Sequence, residues 1–86
     1  MSGILPVRVM VQDVWDEILL ELPSATSLRE LKRQALEVTR VTRDPDGYLL
    51  KFRGAELFDE SRSLADSGLV PNGAVIVLPR RRRPVR

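Results

Sequence analysis

The chain contains no cysteine and no histidine. Without cysteine there is no disulfide framework, no thiol nucleophile and no Cys-based zinc site. Without histidine the commonest general base and the commonest metal ligand are missing. Aromatic residues are scarce, with one Trp, one Tyr and two Phe, and lysine occurs only as Lys32 and Lys51. No apolar run approaches the ~20 residues that a membrane-spanning helix needs. The N-terminal stretch Met1-Ser2-Gly3-Ile4-Leu5-Pro6 has no basic region followed by a long apolar segment, so no secretory signal is expected and a cytoplasmic location is the default.

What remains is 86 residues, 43% apolar and 30% charged, the composition of one small globular domain. The net charge of +2 hides an asymmetry. Residues 80–86 (Arg80-Arg81-Arg82-Arg83-Pro84-Val85-Arg86) hold five arginines and no acid. Residues 1–79 hold nine basic and twelve acidic groups, a net of −3. The expected organisation is a mildly acidic domain over 1–79 and a basic, disordered tail over 80–86.

Val7, Val9 and Val11 alternate with Arg8, Met10 and Gln12, the period-two pattern of a half-buried strand. Ile18, Leu20 and Leu22 alternate with Leu19 and Glu21, so a hairpin is expected around Asp13–Glu17. Ser27-Leu28-Arg29-Glu30 is a capping box, with a hydroxyl for the amide three residues on and a Glu reaching back. Leu28, Leu31, Ala35 and Val38 then repeat at helical spacing, predicting a helix from Leu28 to about Arg40 with Arg29, Lys32, Arg33 and Glu37 off its apolar face. Asp44-Pro45-Asp46-Gly47 is a turn. Tyr48, Leu50 and Phe52 alternate with Leu49, Lys51 and Arg53 in a third strand. Residues 55–63 read as irregular, anchored by Leu57 and Phe58, and Leu64–Gly68 as one helical turn closed by glycine. Ala74–Leu78 forms the last strand and Pro79 ends it. One helix covers only one face of such a sheet, so the fold class is α+β with one sheet face open.

The order of elements, together with particular residues, resembles ubiquitin and its relatives, the β-grasp superfamily, from about Val7 to Pro79. Ile18-Leu19-Leu20-Glu21-Leu22-Pro23-Ser24 is similar to ubiquitin's second strand and its exit, and Ser27–Lys32 to its helix start. Leu50-Lys51-Phe52-Arg53-Gly54-Ala55-Glu56-Leu57 followed by Arg62–Leu69 resembles its third strand, glycine turn and Thr-Leu-x-Asp segment. The resemblance implies a mixed sheet of four to five strands packed on one helix. Ubiquitin and the sulfur carriers of this fold end in Gly-Gly, whose unhindered carboxylate is adenylated. Here no Gly-Gly follows Gly73, so the resemblance implies a module outside the conjugated branch. Leu64–Ala74 looks like the Leu-x-Asp-x-Gly segment of bacterial, YukD-type accessory proteins of type VII secretion.

Three candidate sites follow. Alternation sends Met10, Leu49, Lys51, Ile76 and Leu78 outward onto the open face, the face ubiquitin uses for partners. By the resemblance, the isoleucine central to ubiquitin's patch falls at Lys51. An apolar and basic mixture suits a protein partner with acidic and aliphatic groups. Trp15, in the hairpin loop, is either a partner anchor or a residue folded back beside Val14. Arg80, Arg81, Arg82, Arg83 and Arg86 are suited to anions, whether nucleic acid, lipid headgroups or acidic protein; the alternatives are a solubilising tail or a linker. The carboxylate pairs Asp44/Asp46 and Asp59/Glu60 fall in turns, where acids cap backbone amides. With no phosphate loop and no nucleophile–base pair, no enzyme, cofactor, metal site or small-molecule substrate is expected. The expected function is a protein-interaction module without conjugation, acting through its open sheet face, of the bacterial secretion-accessory type. The alternatives are the precursor of a modifier and an anionic-surface binder.

Overall fold

A computed structural model describes residues 3–80. β1 (Ile4–Val11) and β2 (Asp16–Pro23) form an antiparallel hairpin in which Val7 faces Leu20 and Val9 faces Ile18. α1 (Leu28–Val38) follows, then a 3-10 turn over Pro45–Gly47. β3 (Tyr48–Phe52), the short β4 (Ala55–Glu56) and β5 (Gly73–Pro79) complete one five-stranded sheet in the order β2-β1-β5-β3-β4. β5 is central, parallel to β1 and antiparallel to β3. The segment expected to be irregular thus contributes a strand. β3 and β4 are joined by Arg53 and Gly54, both at positive φ (56° and 81°), the two-residue geometry that matches strand twist in hairpins.

Alternation puts Val7, Val9, Val11, Leu50, Val75 and Val77 on the inner face of the sheet, all fully buried. Leu28, Leu31, Ala35 and Leu36 meet them from α1, with Leu64 and Leu69 closing the core from the following turn. At the helix N-terminus Ser27 Oγ accepts from the Glu30 amide at 3.1 Å. The Glu30 carboxylate does not reach back; it accepts from Arg33 at 2.6 Å and Gln34 at 2.9 Å. Those bonds, Arg33 first, hold its pKa down at about 2. The helix ends at Val38 rather than Arg40 because Thr39 Oγ1 donates to the Ala35 carbonyl (2.8 Å) and Arg40 turns to φ 62°.

The apolar face of α1 differs from the expected one. Val38 is 56% exposed, Leu36 is buried, and Lys32 is only 1% exposed. A full stripe at i, i+3, i+4, i+7 and i+8 from Leu28 contains both Lys32 and Leu36. Burial of Lys32 is satisfied by two partners: its Nζ donates to the Tyr48 carbonyl at 2.9 Å and lies 2.7 Å from Glu60 Oε1. Lys32 is therefore no acceptor for a modifier. Phe58, expected to anchor the 55–63 segment, is 80% exposed. The anchor is Leu57, whose amide donates to the Leu50 carbonyl at 2.9 Å and turns its side chain inward.

Gly73 opens β5 where space is absent. A Cβ there would lie 2.9 Å from the Val70 carbonyl oxygen and 3.1 Å from the Phe52 ring. The Gly73 amide itself donates to that same carbonyl, so the turn does not open without losing a bond. Gly73→Ala is expected to cost about 1–3 kcal/mol of unfolding free energy. A urea midpoint equal to that of the unsubstituted chain refutes this.

Candidate functional site

The outer face of the sheet has no helix over it. The register lays its side chains out in rows. Glu17, Met10, Ile76, Lys51 and Glu56 are successive cross-strand neighbours. Leu49 and Leu78 form the next row toward the C-terminal end of β5, and Leu19, Arg8 and Ala74 the row on the other side. The centre of this face is apolar, with acids at both flanks and one lysine, Lys51, that has no ion-pair partner among the described residues. Arg8 lies 3.7 Å from Glu17.

Trp15 belongs to this face. It is 74% exposed and does not fold back onto the sheet edge. With Met10, Gln12, Lys51, Ile76 and Leu78 it lines a depression of about 330 Å³. Its backbone sits at φ 53°, a conformation in which a bulky side chain is unusual and mildly strained. The loop is held there at both sides: the Gln12 amide donates to the Val77 carbonyl at 2.9 Å, and the Tyr48 hydroxyl donates to Asp13. Burial, then the Asp13 carboxylate, push the Tyr48 pKa above its ordinary value.

The structure thus brings Met10, Trp15, Lys51, Ile76 and Leu78 together around one depression. Leu49 joins through a second, of about 450 Å³, that shares Gln12, Lys51 and Leu78 with the first. Sequence reasoning missed Gln12 and Leu19, although the alternation of β2 already placed Leu19 on the outer face, where it is half exposed.

Arg80 is the one member of the arginine set within the described residues; Arg81, Arg82, Arg83 and Arg86 lie outside them. Arg80 does not project freely. Its amide donates to the Gly47 carbonyl at 2.8 Å and its Nε to the Asp46 carbonyl at 3.0 Å. Its guanidinium lies 3.7 Å from Glu56 and 3.6 Å from Glu60. Glu60 therefore stands between buried Lys32 and surface Arg80, and Arg80 is tied to the domain.

Of the acids expected to cap amides in turns, Asp44 and Asp59 do so, whereas Glu60 pairs with Lys32 and Arg80. Asp44 accepts from the Asp46 amide at 3.0 Å and Asp59 from the Ser61 amide at 3.2 Å. Among the described residues no group of three or more His, Cys, Asp or Glu is placed to hold a metal ion, and no helix is long and apolar enough to cross a membrane.

One helix cradled by a mixed sheet, with the first and last strands parallel at its centre, is an arrangement shared with many solved structures. A ubiquitin from Caldiarchaeum subterraneum superposes with a TM-score of 0.77 at 14% identity, over 92% of this chain and 96% of that one. The fold is the ubiquitin-like β-grasp. A ubiquitin-like domain from Arabidopsis thaliana gives a TM-score of 0.75 at 18% identity, over 96% of this chain and 84% of that one. The ubiquitin-like domain of tubulin-binding cofactor B gives 0.76 at 19% identity, over 92% of each chain. No protein-family model and no curated protein matches the chain. In this β-grasp the outer face differs from its expected form mainly in Trp15, which extends the apolar centre toward the β1–β2 loop.

Proposed function

We propose that the chain is a ubiquitin-like module that binds a protein partner through the open face of its sheet, without conjugation and without catalysis. The observation that carries this reading is the depression around Met10, Ile76 and Leu78, with the exposed indole of Trp15 at its rim. A contiguous apolar surface ringed by polar groups is the usual form of a recognition site. Lys51 beside it favours a partner that presents aliphatic side chains next to a carboxylate. The non-conjugated reading is supported by the passage of the last strand from Pro79 directly into Arg80–Arg83, where the conjugated branch carries its glycines. The resemblance of Leu64–Ala74 to secretion-accessory proteins makes components of a type VII system the first partners to test.

The test is Ile76→Asp combined with Leu78→Asp. Both positions lie on the outer face, Ile76 with 42% of its surface exposed, so the cost to stability is expected to stay within about 1 kcal/mol. Proteins retained by the immobilised wild-type chain from the source cell are expected to be lost with the double variant. Retention of the same set refutes the reading. A large fall in thermal stability refutes it too, since the two residues would then be core.

A further inference from the structure

The two edges of the sheet differ. One is the two-residue β4; the other is β2, whose far side no strand covers. β2 pairs with β1 over eight residues in one continuous register, from Ile4 opposite Pro23 to Val11 opposite Asp16. The phase of that ladder follows from one bond: the Ser24 amide donates to the Gly3 carbonyl at 2.8 Å. Gly3 and Ser24 are therefore a hydrogen-bonded pair, and in an antiparallel ladder such pairs alternate with non-bonded ones. Leu22, Leu20, Ile18 and Asp16 turn their backbone groups to β1, whereas Glu17, Leu19 and Glu21 turn theirs to the free edge. Among the described residues the amides and carbonyls of these three have no partner. β2 has no bulge, no lysine and no inward-pointing charge, the devices that usually close an edge. Ile18 and Leu20 lie half-buried against the core, and Leu19 is 54% exposed. The charges of β2 are all acidic: Asp16, Glu17 and Glu21. Glu21 stands opposite Pro6 and has no ion pair among the described residues, and Glu17 has only Arg8, at 3.7 Å.

We infer that β2 accepts an extended segment of a partner protein as a sixth, antiparallel strand, a segment with basic residues opposite Glu17 and Glu21 and aliphatic residues opposite Ile18, Leu19 and Leu20. Backbone bonds to Glu17, Leu19 and Glu21 hold such a strand, and its side chains set which sequence fits. Residues opposite Ile18 and Leu20 point inward and extend the edge of the core, because side chains of paired strands share a face. Charge decides the occupant. A second copy, paired about Leu19 so that all three outward residues are used, sets Glu17 of each chain directly opposite Glu21 of the other. Like charges at that spacing repel, as they would for an acidic segment. A basic residue at both places instead meets a carboxylate on the same face. This edge lies two strands from Ile76 and binds through the backbone, so it is a surface separate from the open-face depression.

The probe is the peptide Gly-Ser-Lys-Val-Ile-Val-Lys-Ser-Gly, blocked at both termini and titrated into the isotope-labelled full chain while backbone amide resonances are followed. The largest shifts are expected at Glu17, Leu19 and Glu21. A peptide with Glu in place of both Lys is expected to bind at least about tenfold more weakly, since two cross-strand pairs change sign. Methylating the amide nitrogen of the central Ile removes the donor to the Leu19 carbonyl and is expected to weaken binding about tenfold. Methylating either Val, whose amide faces away from the sheet, is expected to change affinity by less than about threefold. Glu17→Gln with Glu21→Gln is expected to bind the Lys and Glu peptides alike, and Glu17→Lys with Glu21→Lys to prefer the Glu peptide. Equal affinity of the unsubstituted chain for both peptides overturns the inference, as does equal loss on methylating Ile and Val. Shifts centred on Ile76 overturn it, as does no saturation by about 1 mM peptide. Movement of the β2 amides on dilution of the chain alone also overturns it, because a second copy would then occupy the edge.

Discussion

Glu60→Ala is expected to lower the unfolding free energy by about 3–5 kcal/mol. Lys32 Nζ is sealed beneath the sheet edge, with the Glu60 carboxylate at 2.7 Å and the Tyr48 carbonyl at 2.9 Å as its acceptors. Removing the carboxylate leaves an ammonium group buried with one neutral acceptor, and desolvation of the charge is then uncompensated. The same substitution frees Arg80 from one of its two carboxylates. A domain of this size has on the order of 4–13 kcal/mol of total stability, so the variant is expected to lose a large share of it. Glu60→Gln keeps an acceptor and should cost less. Lys32→Met removes the cation instead and leaves Glu60 facing Arg80, so it should cost less than Glu60→Ala, and Lys32→Met with Glu60→Ala should recover much of the loss. Urea unfolding of Glu60→Ala, Lys32→Met and their combination, beside the unsubstituted chain, forms a double-mutant cycle. A Glu60→Ala midpoint indistinguishable from wild type would falsify the claim that the pair is closed to water.

Trp15→Gly separates recognition from folding. At φ 53° the tryptophan pays for its own conformation, and glycine adopts that region without steric strain. Glycine also gives the unfolded chain more freedom, so the two effects oppose each other and the net change in stability is expected within about 0.5 kcal/mol of zero. Binding responds differently. A large aromatic side chain, 74% exposed at the rim of the depression, is the kind of anchor whose loss costs about 2–4 kcal/mol of affinity, or roughly 30- to 1000-fold in Kd. Calorimetric titration of the partner captured by the wild-type chain, run beside thermal unfolding of both proteins, measures both quantities. If Trp15→Gly unfolds well below wild type, the indole is packing rather than recognition. If affinity is unchanged, the contact lies elsewhere on the face.

The legible part of the fold came from short-range rules. Alternation in Val7–Val11 and Tyr48–Phe52 marked the inner face residue by residue, because side chains of a strand point to opposite sides whatever lies beyond. The cap at Ser27, the turn at Asp44–Gly47 and the glycine-closed turn at Leu64–Gly68 depend on a few neighbouring residues, and they hold in the structure. The same alternation placed Met10, Leu49, Lys51, Ile76 and Leu78 on the open face. Where expectation and structure part, a distant residue intervenes. Lys32 looks solvent-facing until Glu60 is brought beneath it. Phe58 looks like an anchor beside Leu57 until the Leu57 amide pairs with the Leu50 carbonyl and Phe58 is left exposed.

From the sequence alone followed the α+β class and an open face with an apolar centre, since periodicity, capping and turn chemistry are local properties of the chain; the β-grasp expectation rested on the resemblance of its segments to ubiquitin. Only the tertiary structure decided which charges stay free. It buried Lys32 against Glu60, tied Arg80 to Glu56 and Glu60, left Lys51 unpaired among the described residues, and turned Trp15 outward beside Ile76 and Leu78. Pairing of that kind depends on distance in space between residues remote in sequence, and the parallel run of β1 and β5 brings the acidic loop, the tryptophan and the start of the arginine segment to one end of the sheet.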